Sequence, residues 1–184
     1  MIPRKQLSKV LYAASAVLVL GACADRPTEP EATSSGGSGA PGTTEPSFTL
    51  GVGFVGTPVG RGNLGTFHIK SKADGYDVQL KSHDNTDIAV TNIAVTPGGH
   101  SGWHYHPGPV LVVVKTGAIT FYHGNDLACT GKRYPAGTVF IEEGGEVGIA
   151  RNEEAVETTV VATFFVPAGG PTRIDAPAPG NCAF

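Results

Sequence analysis

The chain has 184 residues, which suits one ordinary domain with some sequence left over and argues against a multidomain enzyme. Its 26 glycines, 14 prolines and 16 % charged residues favour short strands and many turns over long helices. The formal net charge is −3, and basic residues do not cluster beyond the first nine positions, so nucleic acid is not an expected partner.

Residues 1–22 are predicted to be an export signal. Arg4, Lys5 and Lys9 precede a largely apolar stretch over residues 10–20. At ~1.5 Å per residue this stretch would span about 16 Å, well short of a ~30 Å hydrocarbon core. The pattern therefore favours a signal peptide over a membrane span.

The residues after this stretch, Leu20-Gly21-Ala22-Cys23, resemble the bacterial lipobox. The resemblance implies that Cys23 becomes the lipid-modified first residue of the mature protein, and the alternative is an ordinary cleavage site with an incidental cysteine. Two or three acyl chains suffice for stable anchoring. We therefore expect an exported protein that contacts the cell-envelope membrane only through this anchor, at the outer face of the plasma membrane or at the outer membrane.

Residues 23–47 are predicted to be a flexible linker, because they are rich in Pro, Gly, Ser, Thr and Glu and offer almost nothing apolar to bury. A flexible coil of this length has a root-mean-square reach of about 25–30 Å. The folded domain, residues 48–184, would then lie close to the membrane surface.

The folded domain is predicted to be all-β. Eight segments are β-branched or aromatic in character and are separated by Gly, Asn, Asp or Pro: 67–70, 76–82, 87–96, 110–115, 118–122, 138–141, 147–151 and 156–166. No long window shows a capped helical period. Short strands with this punctuation predict a sandwich, a jelly roll or a barrel.

Two of these segments are nearly continuous apolar runs, over residues 110–114 and 160–166. A strand with one wet face would alternate, so both faces of these strands are expected to be covered. A second subunit in a homodimer is the natural cover, although the segment before Phe67 could fold back instead.

Cys129 and Cys182 are the two thiols that remain once Cys23 is assigned to lipid. Because an exported protein sits in an oxidising compartment, a disulfide between them is favoured over two unpaired, buried cysteines. Closing a loop of about 54 residues would stabilise the fold by roughly 4 kcal/mol in the loop-entropy model.

Residues 98–109 are the most informative stretch, because His104 and His106 are separated by a single residue. Residues two apart in a strand point to the same face, so both imidazoles face one side, as a metal site inside a barrel requires. His100 shares this parity if the strand extends so far, and it is therefore a further candidate ligand.

This spacing resembles the first motif of the cupin family, which runs Gly, five residues, His-x-His, three or four residues, Glu, six residues, Gly. The chain supplies Gly98, His104, His106 and Gly117 at the right distances. Val110 stands where the family has its glutamate.

The second cupin motif runs Gly, five residues, Pro-x-Gly, two residues, His, three residues, Asn. It matches Gly137, Gly145 and Asn152, with Glu143 in the proline position and Gly148 in the histidine position. The two motifs imply a double-stranded β-helix, the jelly-roll barrel of cupins, with its motif core in residues 76–167.

The resemblance also implies a metal centre of three histidines and one carboxylate, of which only His104 and His106 remain. Two imidazoles alone rarely make a tight site. Further candidates for the missing ligand are His100, Glu142, Glu143 and Glu146. A His-His-carboxylate set would suit one divalent transition metal, such as Fe, Mn, Zn, Ni or Cu. The alternative is that the two histidines hydrogen-bond each other, water or backbone inside the barrel.

The departures from the motifs bear on function. Because Gly148 removes an imidazole from the interior and Val110 makes it more apolar, we expect room for a small organic ligand. The favoured function is a lipid-anchored extracytoplasmic cupin that binds a small molecule without turning it over. The alternatives are a metal-dependent enzyme of the oxygenase or isomerase type that uses His104 and His106, and a structural role in the envelope.

Overall fold

The structure is a computed structural model that describes residues 48–184. The predicted signal peptide, residues 1–22, and the predicted linker, residues 23–47, lie outside the described residues. Within the described part, no helix is long and apolar enough to cross a membrane.

Ten strands make up the secondary structure of the described part. In chain order they are β1 (Val52–Ala73), β2 (Tyr76–His100), β3 (His104–Tyr105), β4 (Val110–Thr116), β5 (Ala118–His123), β6 (Lys132–Pro135), β7 (Val139–Glu142), β8 (Gly148–Arg151), β9 (Thr158–Pro167) and β10 (Ile174–Asp175).

The strands form a nearly closed antiparallel barrel, which confirms the predicted all-β double-stranded β-helix. The strand order is β10-β3-β8-β2-β9-β4-β7, with β1 beside β2, and β5 between β6 and β8. Strands far apart in sequence are neighbours, as β9 is paired with both β2 and β4. β3, which carries His104, and β7, which ends at Glu142, lie toward opposite ends of this strand order and do not pair with each other.

The core of the barrel consists of side chains that point inward from every second residue of strands such as β4 and β9. Along β9, buried residues alternate with half-buried ones from Thr158 to Val166. Val112 on β4, Phe140 on β7 and Phe164 on β9 belong to one buried cluster. β4 and β9 thus each present one surface to the interior and one to the outside, although both surfaces are largely apolar.

The first two strands are longer than predicted. Segments 76–82 and 87–96 fuse into the 25-residue β2, and β1 starts well before Phe67 and runs for 22 residues. β2 pairs with β9 only from Thr86 onward. The residues of β2 that precede Thr86 therefore pair with β1 alone. We call this two-stranded extension, residues 67–73 and 76–82, the ribbon. The segment before Phe67 lies in the sheet beside β2 and does not cover its outer surface.

A buried carboxylate joins the strands where the ribbon leaves the barrel. Asp87 on β2 accepts hydrogen bonds from the backbone N–H of Gly169, from Asn63 Nδ2 and from Arg61 Nε. These donors, the Gly169 amide first, lower the pKa of Asp87 to about 2. The ionised Asp87 therefore ties β1 to β2 and to the chain after β9.

The C-terminal segment is fastened to the barrel by the predicted disulfide. Cys129 and Cys182 are joined, with their Cα atoms 5.3 Å apart, which confirms the prediction. Asn181 Nδ2 donates to the carbonyl oxygens of His123 and Asp126 beside it. The chain between β9 and the C-terminus is thus held against the end of the barrel that carries β3.

Candidate metal centre

His104 and His106 lie at one end of the barrel and point into it together. His104 on β3 is paired with Gly148 on β8 and with Asp175 on β10, so strands on both sides hold its backbone. Both histidines are buried, and their ring centroids are 4.8 Å apart in a T-shaped arrangement. The structure therefore brings together the two imidazoles that the strand parity places on one face.

Glu142 completes a cluster with the two histidines. It ends β7, where Phe140 two residues earlier faces the core, and its backbone pairs with Val110 on β4. Its Oε2 atom lies 3.2 Å from His106 Nε2 and 3.8 Å from His104 Nε2. Of the three carboxylates considered from the sequence, Glu142 is the one that lies beside the imidazoles.

Backbone carbonyls determine which ring nitrogens face the carboxylate. His104 Nδ1 lies 2.9 Å from the carbonyl oxygen of Gly102, and His106 Nδ1 bonds the carbonyl oxygen of Thr172. Because a carbonyl only accepts, each Nδ1 must carry the hydrogen. In the neutral rings both Nε2 lone pairs therefore point toward Glu142, which is the orientation that a metal ligand needs.

Burial keeps the His104 ring neutral. Its pKa is lowered to about 4, first by desolvation and further by the charge of Arg173, while the Glu142 carboxylate and the Gly102 hydrogen bond partly oppose the shift. At neutral pH the Nε2 atom of His104 consequently offers a lone pair and no proton.

This donor set fits a metal ion. The ligand atoms of His104, His106 and Glu142 all lie within 4.8 Å of one another. Two ligands ~2.1 Å from one ion and at right angles to each other lie about 3 Å apart, so small side-chain rotations would bring these atoms into a coordination shell. The group could therefore hold a metal through two imidazoles and one carboxylate.

His100 is not part of this cluster. Strand β2 ends at His100, and Gly102, with φ of +70°, turns the chain before β3 begins, which breaks the parity between His100 and His104. The His100 ring instead accepts a hydrogen bond from the Gly102 backbone at 3.1 Å through Nδ1.

The other two acidic candidates also lie elsewhere. Glu143 is exposed. Glu146 Oε1 lies 2.9 Å from His123 Nδ1, and the two form a separate, partly exposed His-carboxylate pair.

The cluster lies on the wall of a cavity of about 450 Å³ inside the barrel. Most of the wall is apolar, and it includes Val110 in the position of the missing family glutamate. Polar groups other than the cluster come mainly from the C-terminal segment, where Arg173 and Asp175 form an ion pair at 2.7 Å. The cavity has the size and the lining of a small-molecule site.

Gly148 does not open the space that the sequence predicts there. A Cβ atom at Gly148 would overlap the ring of Phe121 on the neighbouring strand β5, so this aromatic ring already fills the place of the missing imidazole. The expectation that Gly148 leaves room for a ligand is therefore wrong, because the ligand space lies on the side of Val110.

The C-terminal segment positions the cluster in a way that no local sequence signal indicates. Thr172 supplies the carbonyl for His106, β10 pairs with β3, and Arg173 Nη2 donates to the Ser101 carbonyl oxygen at 2.7 Å. Phe184 stacks on Trp103 near the disulfide. These contacts join residues more than sixty positions apart, so periodicity along the chain could not have predicted them.

No protein-family model and no curated protein matches the sequence. Among solved structures, the chain is similar to an oxalate oxidase in complex with the substrate analogue glycolate, with 20 % identity, a TM-score of 0.41 and coverage of 47 % of this chain and 45 % of that one. The chain thus spans less than half the length of that oxidase chain.

Two bacterial structures show a comparable similarity. One is an uncharacterized protein with a double-stranded β-helix domain from Klebsiella pneumoniae, with 23 % identity, a TM-score of 0.42 and coverage of 59 % of this chain and 84 % of that one. The other is a cupin 2 conserved barrel domain protein from Salinispora arenicola, with 20 % identity, a TM-score of 0.39 and coverage of 45 % and 65 %. The strand order of the chain itself is that of a nearly closed double-stranded β-helix.

Proposed function

We propose that the protein binds one divalent transition metal through His104, His106 and Glu142 and holds a small organic ligand beside it in the barrel cavity. The observation that carries this proposal is the convergence of two Nε2 lone pairs and one carboxylate oxygen on the cavity wall, with both Nδ1 hydrogens engaged by backbone carbonyls. A donor set of this kind suits Fe, Mn, Zn, Ni or Cu.

The residues of the site would have distinct roles. The carbonyl groups of Gly102 and Thr172 fix the tautomer and orientation of the imidazoles, and the apolar wall, including Val110 and Phe164, excludes water. A bound metal would supply Lewis-acid character at the coordination positions that face the cavity. Arg173 and Asp175 would offer polar contacts to the part of a ligand that lies away from the metal.

A metal-dependent enzyme of the oxygenase or isomerase type is the second candidate. The observation that favours it is the number of protein ligands. Three ligands leave coordination positions that a substrate could share, as in other sites with two histidines and one carboxylate. Ligand binding without turnover would use the same three residues as catalysis.

Metal content tests the proposal. The full chain, purified without chelator, is assayed for bound Fe, Mn, Zn, Ni and Cu, before and after anaerobic reconstitution with Fe²⁺. We expect close to one ion per chain. Glu142→Gln, which keeps the side-chain shape and removes the charged ligand, should weaken binding by at least about 10–100-fold, the loss seen when residues that only orient a metal ligand are replaced.

The chain offers a matched control in its second His-carboxylate pair. Glu146→Gln alters the same chemistry beside His123, outside the cluster, and should leave the metal content unchanged. Equal loss of metal in Glu142→Gln and Glu146→Gln, or a parent chain that takes up no metal after reconstitution, would contradict the proposed site.

The location at the membrane is a separate proposal. The lipobox-like sequence that ends in Cys23 supports a lipid-anchored, exported protein. Cys23→Ser should abolish incorporation of radiolabelled palmitate and weaken membrane attachment. Unchanged palmitate labelling in this variant would rule out Cys23 as the lipid-bearing residue.

A further inference from the structure

The outer surface of the barrel is apolar over several neighbouring strands. On β4 and β7, Leu111, Val113, Val139 and Ile141 point away from the core and are between 37 % and 58 % exposed. The pairing register places outward residues of β1, β2 and β9 beside them. We call this surface the outer face; its apolar members are Val55, Ile88, Val90, Leu111, Val113, Val139, Ile141, Val161 and Phe165.

The outer face lacks charge. The remaining outward positions of these paired strands are threonine, asparagine, alanine and glycine, and Lys115 lies at the border. Large contiguous apolar patches on a soluble domain mark an interaction surface. A surface of this composition offers no electrostatic attraction to nucleic acid or to a strongly charged protein.

The ribbon has one apolar side and one polar side. On one side, Phe67, Ile69 and Ala73 are paired with Ser82, Leu80 and Tyr76, and Ser71 is paired with Val78. The other side carries His68, Lys70, Lys72, Asp77, Gln79 and Lys81. Ile69 and Leu80 face each other and are nonetheless 45 % and 47 % exposed. The apolar side of the ribbon therefore has no cover within the described residues that hides it from water.

The two apolar surfaces are continuous. Phe67 at the base of the ribbon and Phe165 of the outer face line the same small surface recess, together with Pro107 and Pro167, and Lys81 and Asp84 lie at this recess as well. Asp87 and its donors brace the strands at this junction. A single flat partner could thus contact the outer face and the ribbon together.

An isolated two-stranded ribbon is at best marginally stable in water, so a covering surface would stabilise the part of this ribbon that extends from the barrel. Each strand of the ribbon has about seven paired residues. With a rise of ~3.3 Å per residue, the ribbon extends about 23 Å beyond the barrel sheet. Seven apolar side chains of the outer face and the ribbon are each between 41 % and 70 % exposed, namely Val55, Ile69, Tyr76, Leu80, Val113, Val139 and Ile141. A standard stable interface takes about 800 Å² from each partner.

We propose that these surfaces form the interface of a homodimer, in which the outer faces pack together and the apolar side of each ribbon lies against the partner. In a two-fold contact each surface meets its own copy, so like charges would oppose each other. The absence of charged side chains from the outer face, and the placement of Lys70 and Lys72 on the other side of the ribbon, reduce this obstacle. The same contact covers both unpartnered surfaces.

Sedimentation equilibrium of the full chain in density-matched detergent tests the proposal. We expect twice the chain mass at micromolar concentration. Val113→Asp places a charge in the outer face and should yield a monomer, and Leu80→Asp on the ribbon should raise the dissociation constant at least about tenfold. Lys72→Asp, which also changes charge on the ribbon but on its polar side, should remain a dimer.

Photocross-linking keeps the test decisive if an aspartate variant does not fold. A benzoylphenylalanine at position 80 should give a dimer-sized product in an otherwise unchanged chain. A monomeric parent chain without such a product would overturn the proposal. So would a parent that is monomeric and binds phosphatidylglycerol vesicles through position 80, because the membrane would then be the occupant of the surface.

Discussion

The inner and outer surfaces of the barrel wall are made by the same strands, and both are apolar, yet they differ in what they carry. On β9, Phe164 points inward and its ring lies 5.4 Å from that of His106, whereas its neighbour Phe165 points outward and is half-buried. The inner surface holds three potential metal ligands among its apolar side chains. The two surfaces are therefore told apart by the polar residues among their apolar side chains and not by the apolar residues themselves, and the cover of the outer surface is the homodimer that we propose.

The largest expected difference between the two surfaces is in stability. Phe164→Ala should lower the free energy of unfolding by about 3–5 kcal/mol, because it removes a buried ring from the core cluster and enlarges the barrel cavity. Phe165→Ala should cost distinctly less in the dissociated chain, because the residue keeps part of its exposure in the folded state. Urea unfolding at low protein concentration measures both.

Protein concentration sharpens this comparison. If the outer face is a dimer interface, the cost of Phe165→Ala should grow as the parent chain is concentrated, whereas that of Phe164→Ala should not. Equal costs for the two variants at every concentration would show that the inner and outer surfaces are buried alike.

The part of the site that strand parity determines could be predicted from the sequence. The single residue between His104 and His106 is enough to place both rings on one face. The choice of Glu142 was out of reach, because Val139, Phe140 and Ile141 before it are all apolar and do not reveal which parity points inward. The structure resolves this through the pairing of β7 with β4.

The rest of the fold depended on contacts that are distant in sequence. Asp84 and Asn85 have the composition of a turn, yet they lie within the single strand β2, since β1 pairs on either side of them. β6 (Lys132–Pro135) has charged residues and a proline in place of a strand signal, and it exists through its pairing with β5. In the same way, Phe121 occupies the space beside Gly148 from another strand.

The second expected difference between the surfaces is that a buried group of the inner surface, His104, makes the free energy of unfolding depend on pH. In the metal-free protein the pKa of His104 is lowered from 6.5 to about 4, so between these pH values the unfolded chain binds a proton that the folded chain does not. The free energy of unfolding should therefore fall as the pH is lowered through this window, by about 3 kcal/mol in total.

Urea unfolding in the presence of chelator, from pH 7 to pH 4, measures this loss. His104→Gln should flatten the dependence, because it removes the buried group that titrates. The stabilisation by ionised Asp87 is lost only at lower pH, from 3.8 toward about 2, and so does not overlap with it. An identical slope in the parent and in His104→Gln would show that a neutral, buried His104 does not contribute to the acid sensitivity of the fold.

The smallest expected difference is in the stability change when one methyl group is added to the inner surface or to the outer surface. Gly148→Ala introduces a Cβ atom where the Phe121 ring lies, and overpacking of this kind costs about 1–3 kcal/mol. Gly60→Ala on β1 places the same methyl group in open space and should change stability by less than about 1 kcal/mol. Urea unfolding of the two variants compares them directly.

A double variant identifies the neighbour that opposes the new methyl group. Phe121→Leu, with its smaller side chain, should recover part of the cost of Gly148→Ala, and this coupling should be absent between Phe121→Leu and Gly60→Ala. If Gly148→Ala costs no more than Gly60→Ala, then Phe121 does not fill the place of the missing cupin histidine. The cavity would in that case extend to Gly148, and a ligand could reach the metal ligands from that side as well as from the side of Val110.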